Sequence, residues 1–451
     1  MTPRGEACAP ALVAVIAYLP SFWGVFQFDD YNVIVNAPAV HSWPALLGNP
    51  GVRPLLKASY ALNWALGPGE FGFHLLNIAA HALNAALLYA IGRILCGRWL
   101  GEADSDRSRG VALVAALLFA LHPAQTEAVT YISGRSSSLM ASFYLGALLV
   151  YLRGGHWAVS ALLFALALAT RETAVTLPAA LLLCELCGGG RPDWKDVLRR
   201  QAAHWAVLAA ATAVALWHPG YVGLLSYGFT ERGVSENLLT QVGGIAYLVS
   251  RLVALRGYNI DPALPPLAEW DADLAVRAAL LGALLALGVG SVRSRPWIAF
   301  GILWFFLQLA PTNSIVPRLD VANDRQLYLA GWGLFIGLGA QISCLRPPAV
   351  AARAAIGALL GVCAVSCVLR QLDYASEISL WESSVREAPW NARAHGNLGY
   401  AYHLAGRPVD AEREYRTALI LRPGYEKARM NLKALERDRE GAPQHSAGHP
   451  S

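Results

Sequence analysis

The sequence predicts an all-α protein: a polytopic membrane helix bundle that ends in a short helical repeat tail. Three observations carry that expectation. The 451 residues are 55% hydrophobic and only 15% charged, a balance that suits a core embedded in lipid rather than one closed against water. Apolar windows recur near 9–27, 73–96, 110–122, 136–152, 156–170, 173–187, 202–218, 238–256, 273–291, 296–311, 326–343 and 350–369, twelve in all, as in a chain that crosses a bilayer repeatedly. After Leu369 the composition turns charged and amphipathic, and a 34-residue period appears.

The first window follows a short Met1-Thr2-Pro3-Arg4 start, as a secretory leader would. No small-residue cleavage site follows it and the run passes into Phe28-Asp29-Asp30-Tyr31, so a retained first span is expected. Arg98, Arg107 and Arg109 after the second window, and Arg191, Lys195, Arg199 and Arg200 after the sixth, mark cytoplasmic loops. With the N-terminus also inside, the 28–72 loop and the turns at 122–135, 170–173 and 218–237 face the opposite side. Were all twelve windows to cross, the basic loops at Arg293/Arg295 and Arg346/Arg353 would lie outside, against the charge bias. The weakest window is 238–256, which carries Arg251 and runs into the Pro-rich 261–266 stretch, so an interfacial or re-entrant segment is expected there. About eleven crossings remain, with Asn323-Asp324-Arg325 and the C-terminal tail on the outer face.

In the tail, Trp381 recurs as Tyr415, Ser384 as Ala418, Pro389 as Pro423, Asn397 as Asn431 and Leu398 as Leu432, each pair 34 apart. Small and aromatic residues at these places are those of a tetratricopeptide helix-turn-helix, and an array this short must lean on a neighbour to cover its apolar face. The expected organisation is a membrane domain over 1–370, a repeat tail over 371–440 and a disordered end over 441–451. Basic residues are 32 Arg against 4 Lys, scattered between apolar runs. That excludes a nucleic-acid stripe. The seven cysteines match no metal knuckle, and no disulfide framework is expected. P-loop, Rossmann and Gly-x-Ser-x-Gly patterns are missing from the sequence.

Ionisable residues beside membrane spans are costly, so each is a candidate for function. Asp29 and Asp30 follow the first span, where desolvation and a like-charged neighbour raise the proton affinity of a general base. His74, Asn77, His81 and Asn84 form one stripe on the second helix, facing protein or a wet cavity. Interhelical hydrogen bonding accounts for His81 and Asn84, and His74 at the outer end is better placed for a site. A zinc site from the two histidines lacks a third ligand. On the same outer face lie Arg53, His122, Glu127, Arg135, Arg171, Glu172, Asp324 and Arg325. Guanidinium forks bind phosphate oxygens bidentately, so this collection suits a lipid-borne phosphate, although any one arginine serves equally as a structural ion pair.

Read in order, Phe28-Asp29-Asp30-Tyr31 with Asn36, Arg53-Pro54-Leu55, Gly72-Phe73-His74-Leu75-Leu76-Asn77 with His81, His122-Pro123-Ala124-Gln125-Thr126-Glu127-Ala128-Val129 with Gly134-Arg135, Arg171-Glu172, Asp324-Arg325-Gln326-Leu327-Tyr328 and the tail repeats resemble the transmembrane and tetratricopeptide-repeat O-mannosyltransferases and their bacterial relatives. Arg171 stands where a Lys is more usual in that family, and the repeat array is short. The resemblance implies a GT-C glycosyltransferase fold whose large first outer loop bears the catalytic acid. It also implies a polyprenyl-phosphate sugar as donor, mannose among the candidates, and a protein or glycan hydroxyl as acceptor.

On that basis Asp29, with Asp30 as the alternative, takes the acceptor proton in an inverting transfer, and Arg53, Arg135, Arg171 and Arg325 stabilise the departing phosphate. His74, Asn77, His122, Glu127, Glu172 and Asp324 complete the expected substrate site. No cofactor is required, because phosphate is already a good leaving group, and a divalent metal at Asp29/Asp30 is left open. The Arg- and Ala-rich, Lys-poor composition points to a GC-rich bacterial source, hence a multi-pass inner-membrane protein with a cytoplasmic N-terminus and a periplasmic tail able to recruit a protein partner. A non-enzymatic membrane scaffold and a lipid-linked sugar transporter are the rival readings; the inverted repeat a transporter usually carries is not seen in the hydropathy. A reporter active only in the periplasm, fused after Ser451, should be active if the crossing number is odd; a silent, stably inserted fusion means an even number.

Overall fold

The computed structural model describes residues 3–49, 51–101, 105–190 and 192–441. The expected disordered end, from 442 on, and the loop charge Arg191 lie outside these residues. Regular structure among the described residues is helical throughout, as the composition and apolar windows require.

The axis of the bundle is the 31-residue helix Glu70–Leu100, about 46 Å long at 1.5 Å per residue. Its interior is Ala, Leu and Ile, which favour helix. It ends where Gly101 takes a left-handed φ of 89° that a glycine adopts at least cost. Around it pack Pro3–Ala17, Asp106–Leu121 and Arg135–Leu152. The polar stripe on this helix faces protein at every position. His74 Nε2 pairs with the Gly24 carbonyl at 3.2 Å, and His81 reaches the Ala120 carbonyl at 3.2 Å and the Tyr328 hydroxyl at 2.9 Å. Asn84 Nδ2 donates to the Ser138 carbonyl at 2.8 Å. In a lipid-surrounded bundle such bonds tie helices together where apolar burial alone gives little preference.

A second tight contact joins Pro296–Leu309 to Leu327–Cys344. A Cβ on Gly301 would sit 2.7 Å from the Gly333 carbonyl oxygen, and one on Gly337 would sit 2.7 Å from that of Trp297. Small residues therefore let the two backbones touch. Trp304 and Trp332, both fully buried, fill the space beside this contact, and Trp304 Nε1 donates to the Leu329 carbonyl at 2.8 Å.

Five described helical segments are long and apolar enough to cross a bilayer: Glu6–Trp23, Glu70–Leu100, Ala272–Gly290, Asp324–Cys344 and Ala349–Asp373. The number rises to seven if each of two bent pairs is one span. Those pairs are Asp106–Leu121 with Pro123–Val129, bent by 55°, and Trp194–Trp217 with Pro219–Glu231, bent by 76°. Trp157–Thr170 and Pro296–Leu309 are shorter apolar helices. Only 11% of the apolar windows of Ala272–Gly290 and Ala349–Asp373 is buried by protein, so their outward faces suit lipid. The 173–187 window is divided: Glu172–Thr176 forms a tight 3-10 turn, and the helix restarts at Leu177 with Pro178 in its first turn, where a proline costs no hydrogen bond.

The tail comprises Glu377–Glu387, Ala392–Leu404, Pro408–Leu421 and Glu426–Gly441, with successive helices packed around Trp381, Leu398, Tyr402, Tyr415 and Ala418. It is docked on the membrane part through polar contacts. Gln27 Nε2 donates to the Tyr374 carbonyl at 2.6 Å, and the Phe28 N–H donates to Glu377 Oε1 at 2.7 Å. The Pro-rich stretch after Val234–Ala254 supplies the second foothold. Arg393 holds the buried Asp261 carboxylate with two bonds of 2.6 Å, and Asn391 Nδ2 donates to the Asp261 carbonyl at 2.9 Å. Replacing Arg393 leaves a buried carboxylate without its cation, a loss of about 1–3 kcal/mol. Arg393→Ala should therefore lower the melting temperature of the detergent-solubilised protein and open the 388–392 linker to limited proteolysis; an unchanged melt and cleavage pattern would show that the docking does not need this pair.

Candidate functional site

A cavity of about 720 Å³ lies against the 29–53 loop, within the size range of small-molecule sites. Its walls come from that loop, the start of the Pro54–Leu66 helix, the turn at Ser133 and Ser136, Arg171, and the loop carrying Arg318 and Arg325. The lining is strongly cationic: Arg53, Lys57, Arg171, Arg318 and Arg325 surround Asp29, the single carboxylate among its described lining residues.

Asp29 and Asp30 are neighbours in sequence and opposite in environment. Asp30 is fully buried, and its carboxylate accepts the backbone N–H of Gln27 at 3.1 Å and of Ser133 at 2.8 Å. Burial pushes its carboxyl up to about 7 against those two donors, with a further upward push from Asp29. Asp29 is exposed to the cavity, and its backbone N–H donates to the Tyr131 hydroxyl at 3.0 Å. The bend that separates the pair begins at Phe28, which sits at a left-handed φ of 47°, a conformation a bulky side chain adopts only where its surroundings impose it.

The arginines also divide. Arg53 takes a left-handed φ of 56° as it caps the Pro54–Leu66 helix, and its Nε donates to Glu172 Oε2 at 2.8 Å with a second, shorter bond from its Nη2. Arg171 is 4% exposed; its Nη1 donates to Ser136 Oγ at 3.1 Å and to Ser137 Oγ, while its Nε has no partner among the described residues. Arg325 is anchored by Glu127, whose Oε2 accepts the Arg325 backbone N–H at 3.1 Å and whose Oε1 lies 3.5 Å from Nε. Glu127 and Glu172 thus hold cations at the wall and leave the remaining guanidinium edges toward the cavity.

Other expected site residues lie behind the wall. Arg135 is fully buried: its Nε donates to Asn77 Oδ1 at 2.8 Å, its Nη2 to the Phe73 carbonyl at 3.0 Å and its Nη1 to the Ser59 carbonyl at 3.2 Å. The Tyr60 and Phe73 rings flank its guanidinium. With its donors so engaged it does not line the cavity; it ties the Ser133 turn to two helices. Asn77 reaches the carbonyls of Val129 and Ile132 at 3.1 and 3.2 Å, and His74 is closed off by Gly24. His122 Nε2 meets the Leu252 carbonyl at 3.1 Å. Asp324 accepts the Asn259 N–H at 3.1 Å and the Tyr247 hydroxyl at 3.4 Å. Sequence reasoning missed Lys57 and Arg318. Lys57 lies at the start of the helix that Arg53 caps, and Arg318 stands in the loop between two apolar windows, so both were open to the charge count that found the others.

No group of three or more His, Cys, Asp or Glu able to hold a metal occurs among the described residues. The Asp30 oxygens, turned to backbone donors, leave Asp29 without a second carboxylate beside it.

Comparison with characterised proteins gives the same direction. The chain is 25% identical over 481 residues to protein O-mannosyl-transferase TMTC4 of Homo sapiens, covering 89% of this chain and 64% of that protein. It is 24% identical over 451 residues to protein O-mannosyl-transferase F38B6.6 of Caenorhabditis elegans, covering 92% and 62%. A shorter stretch of 198 residues is 38% identical to protein O-mannosyl-transferase Tmtc1 of Drosophila melanogaster, covering 39% and 22%. The chain is thus a distant relative of these proteins, and it spans less than two thirds of their length. No family model and no solved structure matches it.

The burial of Asp30 predicts a pH signature. Its carboxyl is raised from an ordinary 3.8 to about 7 in the fold, so between those values the folded state binds the proton that the unfolded chain has lost. Its contribution to stability is full below about pH 4, falls as the pH rises toward 7, and is flat above. The melting temperature should decline over that interval and decline less in Asp30→Asn; equal slopes would place the titration elsewhere.

Proposed function

We propose that this chain is a GT-C-type membrane glycosyltransferase that moves a sugar, mannose foremost, from a polyprenyl-phosphate donor to a hydroxyl of a protein or glycan acceptor, with inversion at the anomeric carbon. The observation that carries the proposal is Asp29 facing a cavity ringed by Arg53, Lys57, Arg171, Arg318 and Arg325. One carboxylate in a cationic chamber suits a single displacement, in which one base and one departing anion are all the chemistry the protein must manage.

In that displacement the acceptor oxygen forms a bond to the anomeric carbon as the bond from that carbon to the phosphate oxygen breaks. The acceptor proton passes to Asp29, and the electron pair leaves with the polyprenyl phosphate. Negative charge on the phosphate grows as the bond breaks, so fixed guanidinium groups at Arg171 and Arg325 favour the transition state over the ground state. Arg53 and Arg318 complete the phosphate cradle. Asp30 keeps the loop in place through backbone N–H groups, and Asp29 is the base. The proposal sets the protein in a bacterial inner membrane with the N-terminus cytoplasmic and the cavity and tail on the periplasmic side. It requires no resident metal, because the donor already carries a good leaving group.

Asp29→Asn should lower transfer from a radiolabelled polyprenyl-phosphate mannose by about 10² to 10⁴ while the protein still inserts and melts as the unmodified chain does. Arg171→Ala should be severely impaired and Arg171→Lys largely restored, since one charge at the phosphate is retained. Chelation by EDTA should leave the rate unchanged, and a rate restored only by added divalent cation would put a metal at Asp29. Full activity in Asp29→Asn would refute the assignment of Asp29 as the base, and absence of transfer by the unmodified chain would favour a scaffold or transporter.

A further inference from the structure

A second groove, of about 620 Å³, opens between the first outer loop and the tail helices. It meets the cationic cavity at Asn32 and Asn36, which line both. Two features of its lining distinguish it from an accidental crevice. The tail wall is apolar and aromatic: Tyr400 is 45% exposed and Leu404 is 72% exposed, above a floor made by Trp381 and Phe28, whose rings meet edge to face at 5.2 Å. In the same wall stands Asn397, 8% exposed, whose Nδ2 has no hydrogen-bond partner among the described residues. A buried amide donor left unpaired is costly unless something supplies an acceptor.

We propose that this groove is the binding site for an extended, hydroxyl-bearing polypeptide segment, which it delivers past Asn32 and Asn36 to Asp29. This deepens the transferase reading and rests on it for the role of Asp29. A polypeptide fits the lining better than a glycan does. An extended chain turns alternate side chains to opposite faces, so apolar ones can meet Tyr400, Leu404 and Trp381 while the backbone carbonyls reach Asn397 and the junction asparagines. Glu377, the acidic residue at the floor, is already engaged by the Phe28 N–H and Trp381 Nε1. Lys427 at the rim adds one positive charge, which favours a neutral or mildly acidic segment over a basic one.

The test is equilibrium binding, which does not require transfer. A fluorescein-labelled peptide alternating Ser or Thr with Val and Leu is titrated with the full chain in detergent micelles and followed by anisotropy. Saturable binding is expected, weakened by about tenfold or more in Tyr400→Ala and Leu404→Asp. Both side chains are surface-exposed, so folding is checked by an unchanged melting temperature. Asn397→Leu, which removes the amide and keeps the bulk, should weaken binding as well. Asp29→Asn should bind the peptide as the unmodified chain does. If Asp29→Asn both binds and transfers at full rate, the assignment of Asp29 as the base fails while the groove stands; if the unmodified chain binds the peptide and transfers no sugar, the transferase reading fails while the groove stands. Absence of binding, equal binding by Tyr400→Ala and Leu404→Asp, or displacement of the peptide by mannose oligosaccharide would overturn the proposal.

Discussion

The cationic cavity is organised by one buried acceptor, the carboxylate of Asp30. It accepts backbone N–H groups from Gln27, on its own loop, and from Ser133, more than a hundred residues later. A carboxylate with both oxygens so engaged holds two chain segments at fixed separation, and a low-dielectric setting strengthens each bond. Asp29, the next residue back, is thereby turned outward to the cavity. The same turn at Ser133 is gripped from behind by Arg135 and Asn77, so the second, inner pair supports the first. A charged residue at each level does structural work that lets the one beyond it stay free.

That layering explains why nominally equivalent charges have separate fates. Arg135 and Arg171 are both almost fully buried, yet Arg135 meets carbonyls and an amide on several sides and lies between two rings, whereas Arg171 meets two serine hydroxyls and its Nε has no partner among the described residues. A guanidinium closed in by fixed acceptors is mortar. One that lines a cavity with donor capacity left over suits an anion. Glu127 and Glu172 follow the same logic in reverse: each neutralises part of an arginine and orients it.

Much of this was legible in the sequence, and the limits are physical. The helical class followed from the apolar windows, and the docking of the tail from the rule that a short repeat array cannot cover its own face. Asp29, Arg53, Arg171 and Arg325 were visible as charges where charge is expensive, and they do meet at one cavity. Asp30, Arg135, His74, Asn77, His122 and Asp324 carried the same signal and lie behind it. Sidedness within the loop depends on partners far along the chain, such as Ser133 for Asp30 and Asn259 for Asp324, and local pattern holds no trace of them. The bend at Phe28 is likewise unreadable, since nothing in an aromatic residue announces a left-handed φ.

The tail links these levels. Glu377 binds the Phe28 N–H and the Trp381 indole together, and Gln27, whose backbone N–H Asp30 accepts, donates its side chain to Tyr374. Gln27 and Phe28, which lead into the bend that exposes Asp29, are therefore clamped to the first tail helix or the residues entering it. Conformational entropy spreads a free loop over many positions, so an exposed carboxylate on it has no fixed place. A helical tail docked at two footholds, on the loop and on Asp261, removes that freedom without adding a single group to the cavity. These helices brace the loop, and the groove left between brace and loop leads to the carboxylate that the brace holds.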